Sequence, residues 1–289
     1  MRVEKFNSNK SDKISNLISK NYPSISYNQI MKLFRNKDIK VNGKRVSKDI
    51  VINANDEVLF YISDEELKVD FDIIYEDENI VVIFKPRKIE VENETENCIV
   101  KMLCNQLNQE LFAVHRLDMN TTGLLIFAKN IQAKLSLDSA FKNRTLNKFY
   151  IALVSGRPEK NKDDLVAYLK KYENKSMVEI SNFPQKGYEK IETKYKIVDF
   201  NENLSILEVE LITGKTHQIR AHLSHIGCPI IGDEKYGDSI LNKEYKVKYQ
   251  CLCAYKIVFK FKENDCLYYL NNKEILLENE KIDFLKFYK

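Results

Sequence analysis

The chain is 289 residues long, 44% hydrophobic and 30% charged, with a formal net charge of +4. That is enough chain for one large or two unequal domains with a sizeable core, in the proportions of a soluble globular protein. No apolar run approaches the roughly 20 residues needed to cross a bilayer. The first ten residues hold no apolar core for a secretion signal, and neither G-x-G-x-x-G nor a P-loop pattern occurs. Membrane, exported and nucleotide-cofactor classes recede, and a cytoplasmic protein is expected. The six cysteines, Cys98, Cys104, Cys228, Cys251, Cys253 and Cys266, form no Cys-x-x-Cys pair and are expected to be reduced and mostly packed. Charge is unevenly spread: residues 1–60 hold twelve Lys/Arg against six Asp/Glu, so the basic surplus lies at the front and the remainder is net acidic.

Ile14, Leu17 and Ile18, then Ile30, Met31, Leu33 and Phe34, recur at helical spacing. Pro23-Ser24-Ile25-Ser26 separates two helices, with Ser26 as the N-cap of the second. Asn42-Gly43 between Ile39/Val41 and Val46 predicts a tight hairpin, and residues 55–60 a closing strand. Arg35, Lys37, Lys40, Lys44 and Arg45 stud this module. Over roughly residues 11–62 it resembles the S4 domain, a small RNA-binding fold, most clearly at Lys40-Val41-Asn42-Gly43-Lys44. The resemblance implies that these five bases meet phosphates and add affinity without choosing a base sequence. The alternative is a small α+β appendage whose lysines are merely solvated. The expected division is an S4-like domain over 1–62, a polar linker over 63–72, and a second domain over 73–289.

In the second domain, Ile73–Pro86 reads as strand, acidic turn, strand, and residues 97–108 as an amphipathic helix with Ile99, Val100, Leu103 and Leu107 inward. Leu111–Val114 and Leu124–Ala128 have the content of buried strands. Between them lie His115-Arg116-Leu117-Asp118 and an expected turn at Thr121-Thr122-Gly123. A carboxylate between two core strands is rigidly placed, as chemistry requires, although an Asp here also suits a simple turn cap. Arg116, its near neighbour on an extended chain, points the other way. A helix over 131–142 and a strand over 148–156 follow; Tyr150 alone would read as a core aromatic. Residues 157–190 resist placement. Leu207–Leu211 is a strand, Thr213-Gly214 a corner, and the next residues a helix with Ile219, Leu223 and Ile226 on one face, so that His217 and Arg220 need not face the core. His222, His225 and Cys228 stack at i, i+3 and i+6, a spacing that suggests zinc ligands. The i, i+4 pair typical of helical zinc sites is missing and Pro229 ends the helix, so no metal is expected.

Taken together, these segments resemble the RluA-like pseudouridine synthases. His-Arg-Leu-Asp followed by Thr-Thr-Gly, Lys148-Phe149-Tyr150 opening a Lys-x-Tyr-x-Ala-x-Val-x-Gly pattern, Thr213–Arg220, and Gly232-Asp233-Glu234-Lys235-Tyr236-Gly237 match in order. Two departures stand out. Thr122 replaces the usual Ser, and Arg87-Lys88 replace the small residue and Gly that usually follow Lys-Pro. The resemblance implies an α+β catalytic domain with a large mixed, mainly antiparallel sheet and flanking helices. It implies breakage of the uridine N1–C1′ bond, rotation of the base and rejoining through C5, without a cofactor. By resemblance Asp118 is the nucleophile and Tyr150 stacks on the uracil; a role for Tyr150 as base is open, since a phenol with pKa about 10 is weakly basic at neutral pH. A buried lone carboxylate is costly, and Arg220 is expected to partner it. The target must be flipped out, with Arg116 filling the gap and His115, Lys215 and His217 contacting RNA. Large-subunit ribosomal RNA is the expected substrate and transfer RNA the alternative; a monomer is the default. The rivals are a non-catalytic RNA-binding or ribosome-assembly protein and, behind it, a metal-dependent hydrolase.

Overall fold

A computed structural model describes residues 2–22, 25, 27–63, 70–93, 98–172 and 177–288. Ser26 and residues 64–69 of the expected linker lie outside the described residues. The chain forms two compact units, one of residues 1–71 with 88–109, the other of 72–87 with 110–289.

In the first unit, β1 (Arg2–Asn7), β3 (Ile39–Val41), β4 (Lys44–Val46) and β6 (Glu57–Ile62) form an antiparallel sheet in the order β1-β6-β3-β4, while β2 (Asp12–Lys13) pairs with β5 (Val51–Ile52). Helices Ile14–Asn21 and Tyr27–Asn36 bury Ile14, Leu17, Ile18, Ile30, Leu33 and Phe34 in one core with Ile39, Val58, Phe60 and Ile62 of the sheet. The Asn42-Gly43 hairpin forms with Val41 opposite Lys44 and both turn residues at positive φ, +47° and +79°, the geometry whose twist matches that of the strands. The helix expected over 97–108 runs Ile99–Leu107 with Ile99 and Leu103 buried. It groups with this unit rather than with the C-terminal region. The backbone N–H of Phe71 donates to Gln106 Oε1 (2.7 Å) and Gln106 Nε2 donates back to Phe71 O (3.1 Å), a two-way clasp that ties it there.

The second unit is built on an eleven-stranded sheet among the described residues. It comprises β7 (Ile73–Glu76), β8 (Ile80–Lys85), β9 (Phe112–Ala113), β10 (Thr122–Ala128), β11 (Leu146–Ser155), β12 (Lys162–Lys171), β13 (Val178–Ser181), β14 (Glu189–Phe200), β15 (Leu204–Leu211), β16 (Leu252–Phe259) and β17 (Glu274–Leu276). The main path is β13-β12-β14-β15-β11-β16-β10-β8-β7, with β17 on β16 and β9 on β10. Every pair is antiparallel except β10 with β16, where Thr122 and Gly123 lie opposite Cys253 and Ala254. All seven residues of β10 are buried, as befits a strand covered on both faces.

Gly123 sits at φ +116°, and a Cβ there would lie 2.2 Å from the carbonyl oxygen of Ala254; only glycine allows these two strands to touch. This close pairing corrects the expected turn. Thr122 and Gly123 already belong to β10, and the chain reverses at Met119-Asn120, closed by the Thr121 N–H on Asp118 O at 3.0 Å. The strand expected over Leu111–Val114 contracts to β9. Residues 157–190, unreadable by period, supply β12, β13 and the start of β14, paired as antiparallel neighbours. Helix Ile131–Lys142 begins on Asn130, whose side chain accepts from the Ala133 N–H at 2.9 Å.

Candidate active site

Asp118 ends an irregular stretch that leaves β9, and its loop is fixed from beneath by a buried lysine. Lys85, last residue of β8, is wholly buried. Its Nζ donates to the carbonyls of Pro86 (2.9 Å), Met119 (2.9 Å) and Thr121 (3.2 Å), which uses all three ammonium hydrogens. Two of those carbonyls belong to the turn that follows Asp118. Gln250, buried just before β16, donates to Thr121 Oγ1 and clamps the same turn from the other side. Burial pushes Lys85 down to about 7, against the pull of the Asp118 charge and with a smaller push from Arg87.

Helix Gln218–His225 supplies the counter-charge. Its residues 218–223 are all buried, and Arg220, only 6% exposed, faces the interior. It tolerates that position because Asp233 takes Nε at 2.6 Å and Nη2 at 2.9 Å in a two-pronged pair, while Nη1 reaches Asp118 Oδ2 at 2.8 Å. Burial opposes the Arg220 cation, but Asp233 and then Asp118 more than offset it and raise its pKa. Burial likewise opposes the Asp233 carboxylate, and the Arg220 hydrogen bonds still lower its pKa. Asp233 also accepts from the N–H groups of Lys235 (2.8 Å) and Tyr236 (3.1 Å). Two carboxylates thus share one guanidinium, and Asp118 Oδ1 has no hydrogen-bond partner among the described residues.

The corner before this helix is organised by buried Gln218. Its Oε1 accepts from Thr213 Oγ1 (2.8 Å) and the Lys215 N–H (3.1 Å), and its Nε2 donates to Glu192 O and Thr193 Oγ1, both at 3.0 Å. His217 stands at the helix start, 14% exposed, with Nε2 3.9 Å from Asp118 Oδ2. Tyr150, on β11, is buried opposite Val209 and Ala254. Burial, then the negative charge of Asp118, pushes its phenol above the ordinary tyrosine range, and its hydroxyl has no hydrogen-bond partner among the described residues. Asp118, Arg220, Tyr150 and His217 are therefore brought together.

The other expected contacts divide. His115 packs inward: Nε2 accepts from the Ile126 N–H at 3.0 Å, the ring stacks on Phe141 at 4.8 Å, and burial, then Lys148, lowers its pKa to about 3. Arg116 is exposed and makes no hydrogen bond or ion pair among the described residues. Lys215 is exposed and paired with Glu189. In the other unit Arg35, Lys37, Lys44 and Arg45 are exposed, while Lys40 donates to Tyr61 Oη at 3.0 Å. His222 is tied to Thr193 Oγ1 (3.0 Å) and His225 to Asn182 Oδ1 (2.7 Å). Among the described residues no group of three His, Cys, Asp or Glu side chains is placed to hold a metal ion.

Sequence reasoning assigned no role to Lys85, Asp233 or Tyr236. A signal existed for the first: a lysine closing a six-residue apolar strand must find acceptors inside. Asp233 and Tyr236 were visible only as part of a motif, since their partners lie on another element.

A buried Arg220–Asp233 pair reaching a half-buried Asp118 beside a tyrosine, on a large mainly antiparallel sheet, invites comparison with known proteins. The family described as "RNA pseudouridylate synthase" matches residues 79–225. A Mycoplasma capricolum protein called "Uncharacterized RNA pseudouridine synthase" is 35% identical, covering 95% of this chain and 97% of its own. Rickettsia bellii "Ribosomal large subunit pseudouridine synthase C" is 32% identical over 83% of this chain and 87% of that one. Among solved structures, human RNA Pseudouridylate Synthase Domain Containing 1 superposes with a TM-score of 0.58 at 21% identity, over 75% of this chain and 95% of that one, a likeness of fold. The chain belongs to the RNA pseudouridine synthase family and is an isomerase acting on RNA.

Proposed function

We propose that this enzyme isomerises particular uridines of large-subunit ribosomal RNA, with Asp118 as nucleophile. The observation that carries the chemistry is the asymmetry of the Asp118 carboxylate: Oδ2 is taken by Arg220 and Oδ1 is left without a partner among the described residues. In this reading Oδ1 bonds C1′ as the N1–C1′ bond breaks and N1 takes the electron pair. The uracil turns, C5 attacks C1′, and Asp118 leaves with its electrons. Loss of the C5 proton and protonation of N1 complete pseudouridine, so nothing is consumed. Arg220 orients the carboxylate and Asp233 orients Arg220. Tyr150 stacks on the base and acts as a neutral phenol, because burial and the Asp118 charge oppose its ionisation. The uridine is flipped out of its helix, and exposed Arg116 fills the space it vacates.

The choice of ribosomal RNA rests on relatives such as the Rickettsia bellii protein, whose name assigns it to the large ribosomal subunit. The N-terminal unit is proposed to be an S4-like domain whose Arg35, Lys37, Lys40, Lys44 and Arg45 meet RNA phosphates.

The test is to delete the gene, map pseudouridine in ribosomal and transfer RNA, and restore wild type or Asp118→Asn. A site in large-subunit RNA that is lost on deletion and restored only by wild type supports the proposal. Restoration by both proteins removes Asp118 as nucleophile. A site restored only in transfer RNA reassigns the substrate.

A further inference from the structure

His217 occupies a costly position. It opens helix Gln218–His225 at φ +54°, ψ +17°, a left-handed conformation uncommon outside glycine, although histidine, like asparagine and aspartate, adopts it more readily than most, and it makes no side-chain cap of its own helix. Such conformations persist where the surroundings over-determine them. Here the surroundings are Tyr236 and Asp118. The Tyr236 ring meets the imidazole edge-on at 5.6 Å and 72°, and its Oη lies 3.0 Å from Nδ1. That Oη already accepts from the Val178 N–H at 2.7 Å. Its own proton is therefore the one to give, and Nδ1 is the acceptor within reach. A neutral imidazole that accepts at Nδ1 carries its hydrogen on Nε2, and Nε2 is the atom 3.9 Å from Asp118 Oδ2. Burial lowers the His217 pKa, Asp118 and Asp233 pull it up, and Arg220 and Lys235 push it down; the net direction is down, which favours the neutral ring. Tyr236 also lies beneath the Arg220 guanidinium, 5.3 Å from its ring centre, so a single side chain supports both groups that address Asp118 Oδ2.

We infer that His217 is a positioning residue: Tyr236 holds it in the Nε2–H form, and that N–H, with Arg220, keeps Asp118 Oδ2 engaged so that Oδ1 remains the reacting oxygen. The separation of 3.9 Å exceeds a hydrogen bond, so the N–H acts on the carboxylate as an oriented dipole and can close to contact when substrate fills the site. This inference rests on the reading of Asp118 as nucleophile, and it replaces RNA contact as the work of His217.

Two substitutions separate the alternatives. His217→Gln puts an amide N–H near the position of Nε2 and keeps the donor toward Asp118. His217→Asn puts its amide near Nδ1 and loses that donor, while asparagine accepts the left-handed backbone well. Turnover is read as tritium released from C5 of [5-³H]uridine-labelled RNA extracted from cells lacking the gene. His217→Asn is expected to lower kcat about 30-fold with KM within about twofold, and His217→Gln to stay within about threefold of wild type. A rise in KM at unchanged kcat would make His217 an RNA contact and overturn the inference, as would equal losses in both variants. The tautomer is measured separately by ¹⁵N NMR of the histidine rings, with the His217 signals assigned by their loss in His217→Gln. Nε2–H is expected in wild type and a mixture in Tyr236→Phe. Nδ1–H in wild type overturns the inference whether or not the RNA is turned over. Release of tritium by Asp118→Asn would instead count against the nucleophile, leaving the NMR result to decide on the tautomer.

Discussion

The two units of this protein treat charge in opposite ways. In the sheet unit, Lys85, Arg220 and Asp233 are buried, and their donors and acceptors are met by named partners. In the N-terminal unit, Arg35, Lys37, Lys44 and Arg45 stand exposed and make no ion pair among the described residues. The contrast follows from solvation. A charge withdrawn from water must be satisfied by the fold, so its geometry is specified to a few tenths of an ångström. An exposed charge stays hydrated and mobile, which suits attraction to a polyanion and not the alignment of a reacting atom. One region places atoms; the other, on the proposed reading, raises the local concentration of RNA.

Substitutions on either side of this contrast should have effects of different kind and size. Asp118→Asn should abolish turnover, at least about 10³-fold by tritium release, with the melting temperature little changed; residual activity of a few per cent would return the nucleophile to another group. Asp233→Asn should cost about 3 kcal/mol in denaturant titration and about 100-fold in activity, because it removes the two-pronged partner of a buried guanidinium and leaves it only half-buried Asp118, without touching substrate. An acid limb tests the buried histidines. Burial, then His225, holds His222 at about 4, below the usual value of about 6.5. The unfolded chain therefore binds more protons between those values, and stability should fall as pH drops from about 6.5 to about 4, by up to about 3 kcal/mol. His222→Gln should make that limb shallower and leave the part due to His115, which burial holds at about 3. Replacing Arg35, Lys37, Lys44 and Arg45 by Gln should weaken RNA binding about 10-fold or more and leave kcat unchanged. It should also reduce the slope of log K against log salt by roughly 0.7 for each phosphate no longer neutralised. A change in kcat would mean that this unit does more than concentrate RNA. Smallest of all, Lys88 sits at φ +67°, and Lys88→Gly should raise stability by no more than about 1 kcal/mol.

What the sequence disclosed was mostly local. The Asn42-Gly43 hairpin, the helix over 131–142 and the apolar strand Leu124–Ala128 are dictated by neighbouring residues, and each forms. The pairing of Asp118 with Arg220 was anticipated through motif resemblance, not through spacing, since 102 positions separate them. Non-local satisfaction was illegible. The expected turn at Thr121–Gly123 failed because the partner that claims Gly123 is Ala254 on β16. The departure at Arg87, opaque in one dimension, is matched by Asp283, which takes Arg87 at 2.5 and 2.9 Å. Lys88, where the family pattern has glycine, adopts the left-handed backbone that glycine would supply. Residues 157–190 hid their strands because burial along β12 alternates while its sequence does not: Leu165, exposed Val166 and buried Ala167 are apolar in succession.

The parallel pairing between β10 and β16 has a consequence for biosynthesis. A nascent chain elongating at about 5–20 residues per second exposes the Asp118 loop on the order of ten seconds before Ala254 and Gln250 arrive to brace it. Long-range strand pairing of this kind also folds slowly once all parts are present. On the proposed reading of Asp118, its geometry is thereby withheld until synthesis has passed Ala254, so a shorter nascent chain carries the motif without the brace that positions it.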